Sequence, residues 1–94
     1  MYQVDFSGET HKQIKALFAR ACEENRADAF MEAFKIISQR LQHDPEEFGE
    51  PLYHLPILAV QVRKAVVIPL SVDYSVSRYH DNVVIKGFKL MDAH

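Results

Sequence analysis

The fold is decided by FGEPLYHLPILAVQVRKAVVIPLSVDYSVSRYHDNVVIKGFKL, residues Phe48–Leu90. Within it, Leu70–Ser77 alternates strictly between apolar and polar side chains, which is typical of a strand with one buried face. Val60–Ile68 and Val83–Leu90 flank that run and are rich in β-branched residues. Pro69 cannot donate to a strand ladder, so it marks a turn. These features predict a three-stranded antiparallel meander.

Upstream of the meander, the spacing of apolar residues predicts one strand and two helices. The strand is indicated by the alternation of Tyr2, Val4 and Phe6 with polar residues. Two helical stripes follow at i, i+3, i+4 and i+7 spacing, formed by Ile14, Leu17, Phe18 and Ala21 and then by Phe30, Ala33, Phe34, Ile37 and Leu41. Thr10 or Ser7 can cap the first helix, and Asp44-Pro45 ends the second.

The polar corner between the two stripes is short, so the helices must form an antiparallel hairpin. Residues Phe48–Pro56 are expected to form a loop, because Gly49, Pro51 and Pro56 punctuate them. We therefore predict an α+β fold with an N-terminal strand, a two-helix antiparallel hairpin and a three-stranded antiparallel meander. One domain is expected over residues 1–94.

Composition indicates an ordinary globular protein, with 48% hydrophobic and 26% charged residues. The longest apolar run, Ala65–Ile68, is far shorter than the roughly 20 residues of a membrane span. No signal-peptide pattern begins the chain, so a cytoplasmic protein is expected. The net charge of −2 argues against nonspecific nucleic-acid binding. Cys22 lies in a helical pattern and is predicted to be a buried thiol.

Three segments carry a resemblance to a known family. They are GEPLYHL (Gly49–Leu55), VDYSV (Val72–Val76) and VVIKGFKL (Val83–Leu90). Together with the element order, they make the chain similar to the RelE/ParE superfamily of toxins from bacterial type II toxin–antitoxin systems. The resemblance covers essentially the whole chain and implies a RelE/ParE-like fold.

The resemblance also implies a function and partners. A toxin of this type is held inactive by a cognate antitoxin, and it acts either on messenger RNA at the ribosome or on a topoisomerase. Such a domain can also form a homodimer. The expected function is a toxin-type domain with an incomplete ribonuclease site. The alternatives are an active ribosome-dependent endoribonuclease and a non-toxic protein-interaction module on the same fold, so enzyme activity is left open. No cofactor is implied.

RNA cleavage of this kind needs an acid–base pair and a cation near the developing phosphorane charge. On the family pattern, Arg63 and Lys89 are the candidate cations and His54 or the terminal His94 the candidate acid–base group. Three further cations, Lys64, Arg78 and Lys86, are candidate nucleic-acid contacts.

The match to the family's catalytic pattern is incomplete. The family carries an arginine early in the third strand, and this chain has Ser71 or Asp73 near that position instead. A carboxylate there would repel phosphate. Arg63 has a structural alternative, as a sheet residue paired with an acid such as Asp73. The five histidines show no ligand spacing, so no metal site is predicted.

Overall fold

A computed structural model of the chain describes residues 1–56 and 59–92. These residues form two helices and one five-stranded sheet. In chain order the elements are β1 (Gln3–Phe6), α1 (Gly8–Glu23), α2 (Ala27–His43), β2 (Glu50–Leu55), β3 (Val60–Val67), β4 (Leu70–Ser77) and β5 (Asn82–Leu90). The α+β class and the helical hairpin that we predicted are present.

The sheet is mixed, with strand order β1-β5-β4-β3-β2. Neighbours from β2 to β5 are antiparallel, whereas β1 runs parallel to β5. The predicted three-stranded meander is therefore wrong as a description of the sheet in two respects. Glu50–Leu55, expected to be a loop, is an edge strand, and the N-terminal strand joins the other edge in parallel. β3 continues without interruption through Lys64 and Ala65.

The helices begin and end largely where their sequence signals lie. Ser7, and not Thr10, caps α1, because its side chain accepts a hydrogen bond from the Thr10 main-chain N–H. The apolar stripe of α2 is buried against the sheet through Phe30, Ala33, Ile37 and Leu41. The prediction of a buried thiol at Cys22 was wrong, since that side chain is exposed on α1.

The core lies between the helical hairpin and one face of the sheet. Its sheet side comes mainly from the central strands, with Leu70, Val72, Tyr74 and Val76 on β4 and Val83 on β5 almost fully buried. Strict alternation along β4 produces this face directly. Within the described ranges, no helix has the length and apolar character needed to cross a membrane.

Helix α1 lies along the part of β5 that β1 does not cover. β1 pairs with β5 only from Asn82 to Ile85, which leaves the following main-chain groups of β5 without a strand partner on that edge of the sheet. The side chain of Gln13 accepts a hydrogen bond from the Phe88 main-chain N–H at 2.8 Å. Arg20 donates to the Leu90 carbonyl at 3.3 Å. The helix thus substitutes side-chain hydrogen bonds for a missing strand.

Candidate functional site

The two faces of the sheet have different surroundings. The helices cover the face that carries Tyr74 and Ile85. The opposite face, called the outer face below, carries Lys64 on β3, Ser71 and Asp73 on β4 and Lys89 on β5. Cross-strand pairing fixes this grouping, because Lys64 is opposite Asp73 and Ser71 is opposite Lys89.

A polar pocket of about 380 Å³ lies on the outer face. It is lined by Gln13, Lys64, Ser71, Asp73, Gly87, Phe88 and Lys89, and it is called the Gly87 pocket below. Gly87 lies opposite Asp73 and has no side chain, which leaves space between the neighbouring side chains. Gln13 reaches the pocket from α1 while its oxygen is held by the Phe88 N–H. A second hollow of about 250 Å³ is also lined by Lys64, Ser71 and Lys89.

Cationic groups in this pocket are free to bind an anion. In the described part of the chain every ion pair uses an arginine, and none uses a lysine. Lys64 and Asp73 are cross-strand partners, yet their charged atoms are not within salt-bridge distance of each other. Two lysines therefore flank one carboxylate and a buried serine, Ser71. Such a site can bind a phosphate group, although the carboxylate opposes it.

Arg63, our first candidate for a catalytic cation, points away from this pocket. It is only 6% exposed and lies on the helix-covered face. Its guanidinium donates to the main-chain carbonyls of Phe48 and Gly49, each at 3.0 Å, and to the Gln61 side chain at 2.8 Å. The structural alternative of a pairing with Asp73 is not observed either, because Tyr74 is the cross-strand neighbour of Arg63. The two hydrogen bonds to main-chain carbonyls hold the turn before β2.

Tyr74 completes the same buried network. Its hydroxyl donates to the carbonyls of Pro45 and Phe48, and its ring stacks on Phe48 with centroids 6.2 Å apart. Burial raises the pKa of Tyr74, while the nearby Arg63 guanidinium acts in the opposite direction. The Arg40 guanidinium lies over the Phe48 ring, 4.8 Å from its centroid. The network is structural, and its polar groups face the interior.

The remaining predicted site residues are dispersed. His54 lies on the exposed edge strand opposite Gln61, on the face that also carries Arg63. Arg78 is bound to Glu46 at 2.9 Å. Lys86 occupies the extra position of the bulge in β5 and is exposed. His94 lies outside the described residues. The structure thus brings Lys64 and Lys89 together but does not bring Arg63 or His54 to them.

Sequence reasoning missed two members of the pocket. Neither Gln13 nor Gly87 was predicted as a site residue. The isolated glycine in a strand pattern was an available signal, since such a residue often marks a bulge or a close approach. Gln13 had no comparable signal, because its role depends on α1 crossing the edge of β5.

Comparison with known proteins adds no identification. No family model, no curated protein and no solved structure matches the chain. In residues 1–56 and 59–92 there is also no group of three or more histidine, cysteine, aspartate or glutamate side chains that could hold a metal ion. The site must be interpreted from its own geometry.

Proposed function

We propose that this chain is a RelE/ParE-like toxin-type domain of a toxin–antitoxin system, with an incomplete ribonuclease site. Its working surface is the Gly87 pocket, which binds phosphate groups of an RNA target without cleaving them efficiently. The observation that supports this most directly is the pair Lys64 and Lys89. Both lysines lie on the sheet face without helices, and neither forms an ion pair among the described residues.

The element order supports the family part of the proposal. A strand, a helical hairpin and consecutive antiparallel strands follow one another along the chain, as the resemblance implies. This order leaves one sheet face open, and the family's chemistry would need such a face. Fold order alone does not determine function, so the proposal depends on the pocket as well.

The proposed inefficiency follows from what the pocket contains. Two lysines can stabilise negative charge on a phosphate. Among the residues that the structure describes, Asp73 is the single carboxylate in the lining, and no histidine or arginine lines the pocket. These residues therefore offer no imidazole to protonate the leaving oxygen, and the Asp73 charge opposes phosphate binding. Cleavage by Arg63 and Lys89 acting on one phosphate would require both side chains on the same face, whereas they lie on opposite faces.

Inducible expression in a bacterium, scored for growth arrest, tests the proposal. The wild type is compared with Lys64→Ala/Lys89→Ala and with Lys15→Ala/Lys35→Ala, which removes the same charge from the helices. We expect arrest by the wild type and by the helix variant, and loss of arrest in the outer-face variant. Arrest that persists in the outer-face variant would contradict the assignment of the working surface. No arrest by the wild type would instead favour a non-toxic interaction module.

Mapping of RNA ends in the arrested cells separates the two toxic interpretations. We expect few new ends compared with cells that express an active ribosome-dependent endoribonuclease. Abundant new ends that disappear in Lys64→Ala/Lys89→Ala would show an active ribonuclease and contradict the incompleteness of the site. A toxin of this type would be neutralised by a cognate antitoxin, its expected partner.

A further inference from the structure

Phe6 is an inward-facing aromatic residue that the fold leaves half uncovered. It pairs with Ile85 in the register of β1 and β5, so it lies on the sheet face that the helices cover. Ile85 is 8% exposed there, whereas Phe6 is 46% exposed. The apolar face of a sheet is normally buried against the layer that packs on it. The fold therefore leaves a cavity beside Phe6.

This cavity, called the Phe6 cavity below, has a volume of about 310 Å³ and walls from β1, β5, α1 and α2. Two contacts hold its walls in place. The Tyr2 main-chain N–H donates to the Gln42 carbonyl at 2.8 Å, which ties the start of β1 to the end of α2. The Phe6 ring stacks on His11 of α1, with centroids 5.8 Å apart. The cavity is thus preformed, as small-molecule sites usually are.

The walls of the Phe6 cavity are apolar and rich in aromatic rings. Eight of its ten lining residues are apolar, and three of these are Phe6, Phe34 and Phe88. Phe34 and Phe88 pack on each other with centroids 5.9 Å apart. Among the residues that the structure describes, no charged one lines the cavity. A neutral aromatic ligand suits such walls, because rings pack well on rings and a buried charge would find no partner.

The two polar lining residues, Ser38 and Gln42, mark one side of the cavity. They lie one turn apart on α2 and therefore share a face of that helix. Ser38 is half-buried and Gln42 is exposed, so they lie at the mouth of the cavity. A serine hydroxyl and a glutamine amide can each donate and accept a hydrogen bond. They can therefore bind a single polar group of a ligand whose rings lie deeper.

The volume sets the size of the ligand. An apolar cavity of about 150 Å³ holds one benzene molecule, and the volume at which ligand pockets begin is about 300 Å³. The Phe6 cavity, at about 310 Å³, has space for two fused rings.

We infer that the Phe6 cavity binds a neutral bicyclic aromatic molecule whose one hydrogen-bonding group meets Ser38 and Gln42. The cavity lies on the helix-covered side of the sheet, and the inference does not rest on the function proposed for the outer face.

Calorimetric titration of the full chain with 2-naphthol tests the class of ligand. Naphthalene-2-carboxylate is the charged analogue, and 1-octanol is an aliphatic alcohol of similar length. We expect saturable binding of 2-naphthol at a single site, and binding of the other two that is weaker by about ten-fold or more. No saturable binding of 2-naphthol would overturn the inference. Equal or tighter binding of the carboxylate or of 1-octanol would also overturn it.

A variant with a filled cavity tests the location. Val4→Phe adds a ring inside the lining and should weaken 2-naphthol binding by about ten-fold or more, since the same space is no longer free. Val66→Phe makes the same change at a side chain that is 50% exposed on the outer face and should leave binding unchanged. Circular dichroism checks that both variants are folded. Wild-type affinity in folded Val4→Phe, or an equal loss in Val66→Phe, would contradict the location.

Ser38→Ala tests the polar end of the site without filling it. We expect 2-naphthol to bind about five-fold more weakly to this variant, because one hydrogen bond is lost, and naphthalene to bind as it does to the wild type. Ser77→Ala, at a half-buried serine of β4 outside the cavity, should change neither affinity. Equal weakening of both ligands in Ser38→Ala, or no weakening of either, would contradict the proposed hydrogen bond.

NMR identifies the side chains that the ligand contacts, and it does so in the unmodified protein. An aromatic ligand in the cavity should shift the methyl signals of Val4, Ile37 and Ile85 most strongly, through the ring current. The methyl signals of Val66 on the outer face should stay in place. Shifts spread evenly over the protein, or largest at Val66, would overturn the inference even if all the variants failed to fold.

Discussion

Arg63 and Tyr74 are cross-strand neighbours on β3 and β4, and both donate a hydrogen bond to the main-chain carbonyl of Phe48. The two side chains connect the central strands to the turn that leads from α2 into β2. A buried polar network of this kind stabilises a fold only while every member keeps its partner. The role of Arg63 can therefore be tested by its effect on stability.

Substitution of Arg63 should cost stability and not only charge. Arg63→Met removes the donors to the Phe48 and Gly49 carbonyls, and we expect the free energy of unfolding to fall by about 2–4 kcal/mol. Urea denaturation monitored by circular dichroism measures this change. Lys64→Met, on the next residue of the same strand, should change stability by no more than about 0.5 kcal/mol. Equal effects of the two substitutions would contradict the structural role of Arg63.

Two tyrosines should make the fold sensitive to alkaline pH. Burial raises the pKa of Tyr74. The pKa of Tyr2 is also raised, mainly by burial and to a smaller extent by the charges of Glu46 and Asp81. A phenol whose pKa is higher in the folded state retains its proton there after the unfolded chain has lost it. The contribution of these tyrosines to the free energy of unfolding is therefore fully present below the unfolded pKa of about 10. It decreases as the pH rises above that value.

Denaturation series between neutral pH and pH values above about 10 measure this dependence. Tyr74→Phe should be less stable than the wild type at neutral pH, because its hydroxyl no longer donates to Pro45 and Phe48. The same variant should lose less of its remaining stability on alkaline titration. An identical pH slope in the wild type, Tyr74→Phe and Tyr2→Phe would contradict the assignment to these groups.

Elements in which apolar residues recur with a regular spacing could be predicted from the sequence. The α2 stripe and the alternation along β4 each predicted an element that the structure contains, although Ser71 and Ser75 on the polar face of β4 are buried as well. β2 could not be found this way, because every residue of Glu50–Leu55 is exposed and an edge strand needs no buried period. The parallel pairing of β1 with β5 joins residues that are distant in the chain, and no local pattern encodes it.

The site shows a second limit of sequence reasoning. On β3, the sequence predicted Arg63 as a catalytic cation and Lys64 as a nucleic-acid contact. The register places Arg63 on the helix-covered face, where it donates to the carbonyls of Phe48 and Gly49. Lys64 therefore reaches the outer face in its place. The register of β3, whose side chains alternate between the two faces, thus decides which cation faces the pocket.

Substitution by alanine should cost much more stability at Gly49 than at Gly87. Gly49 has φ +72°, and a Cβ there would lie 2.4 Å from the Lys64 carbonyl oxygen. Gly49→Ala should therefore lower the free energy of unfolding by about 2 kcal/mol or more. At Gly87 the nearest atom to an added Cβ is the Gln13 Oε1 at 3.5 Å, an ordinary contact. Gly87→Ala should change stability by no more than about 1 kcal/mol. Urea denaturation of both variants measures the contrast, and a smaller loss for Gly49→Ala than for Gly87→Ala would contradict it.

Gln13 should protect the uncovered edge of β5. Gln13→Leu leaves the Phe88 N–H without its acceptor, and we expect a loss of about 1–2 kcal/mol. Gln13→Glu retains an acceptor at the same position and should lose less. Hydrogen exchange measured by NMR should show faster exchange of the Phe88 amide in Gln13→Leu. Exchange as slow as in the wild type would mean that another group protects this edge.

The lysines of the Gly87 pocket should contribute a salt-dependent affinity for polyanions. Binding of a labelled single-stranded oligoribonucleotide is measured by anisotropy over a range of salt concentrations. Each phosphate contact to a single strand contributes about 0.7 to the slope of log K against log salt, so Lys64→Ala and Lys89→Ala should each reduce the slope by about that amount. Arg78→Ala removes a cation already bound to Glu46 and should change the slope little. Equal reductions in all three variants would show a diffuse charge effect, and no reduction in either lysine variant would remove the outer face from consideration as an RNA-binding surface.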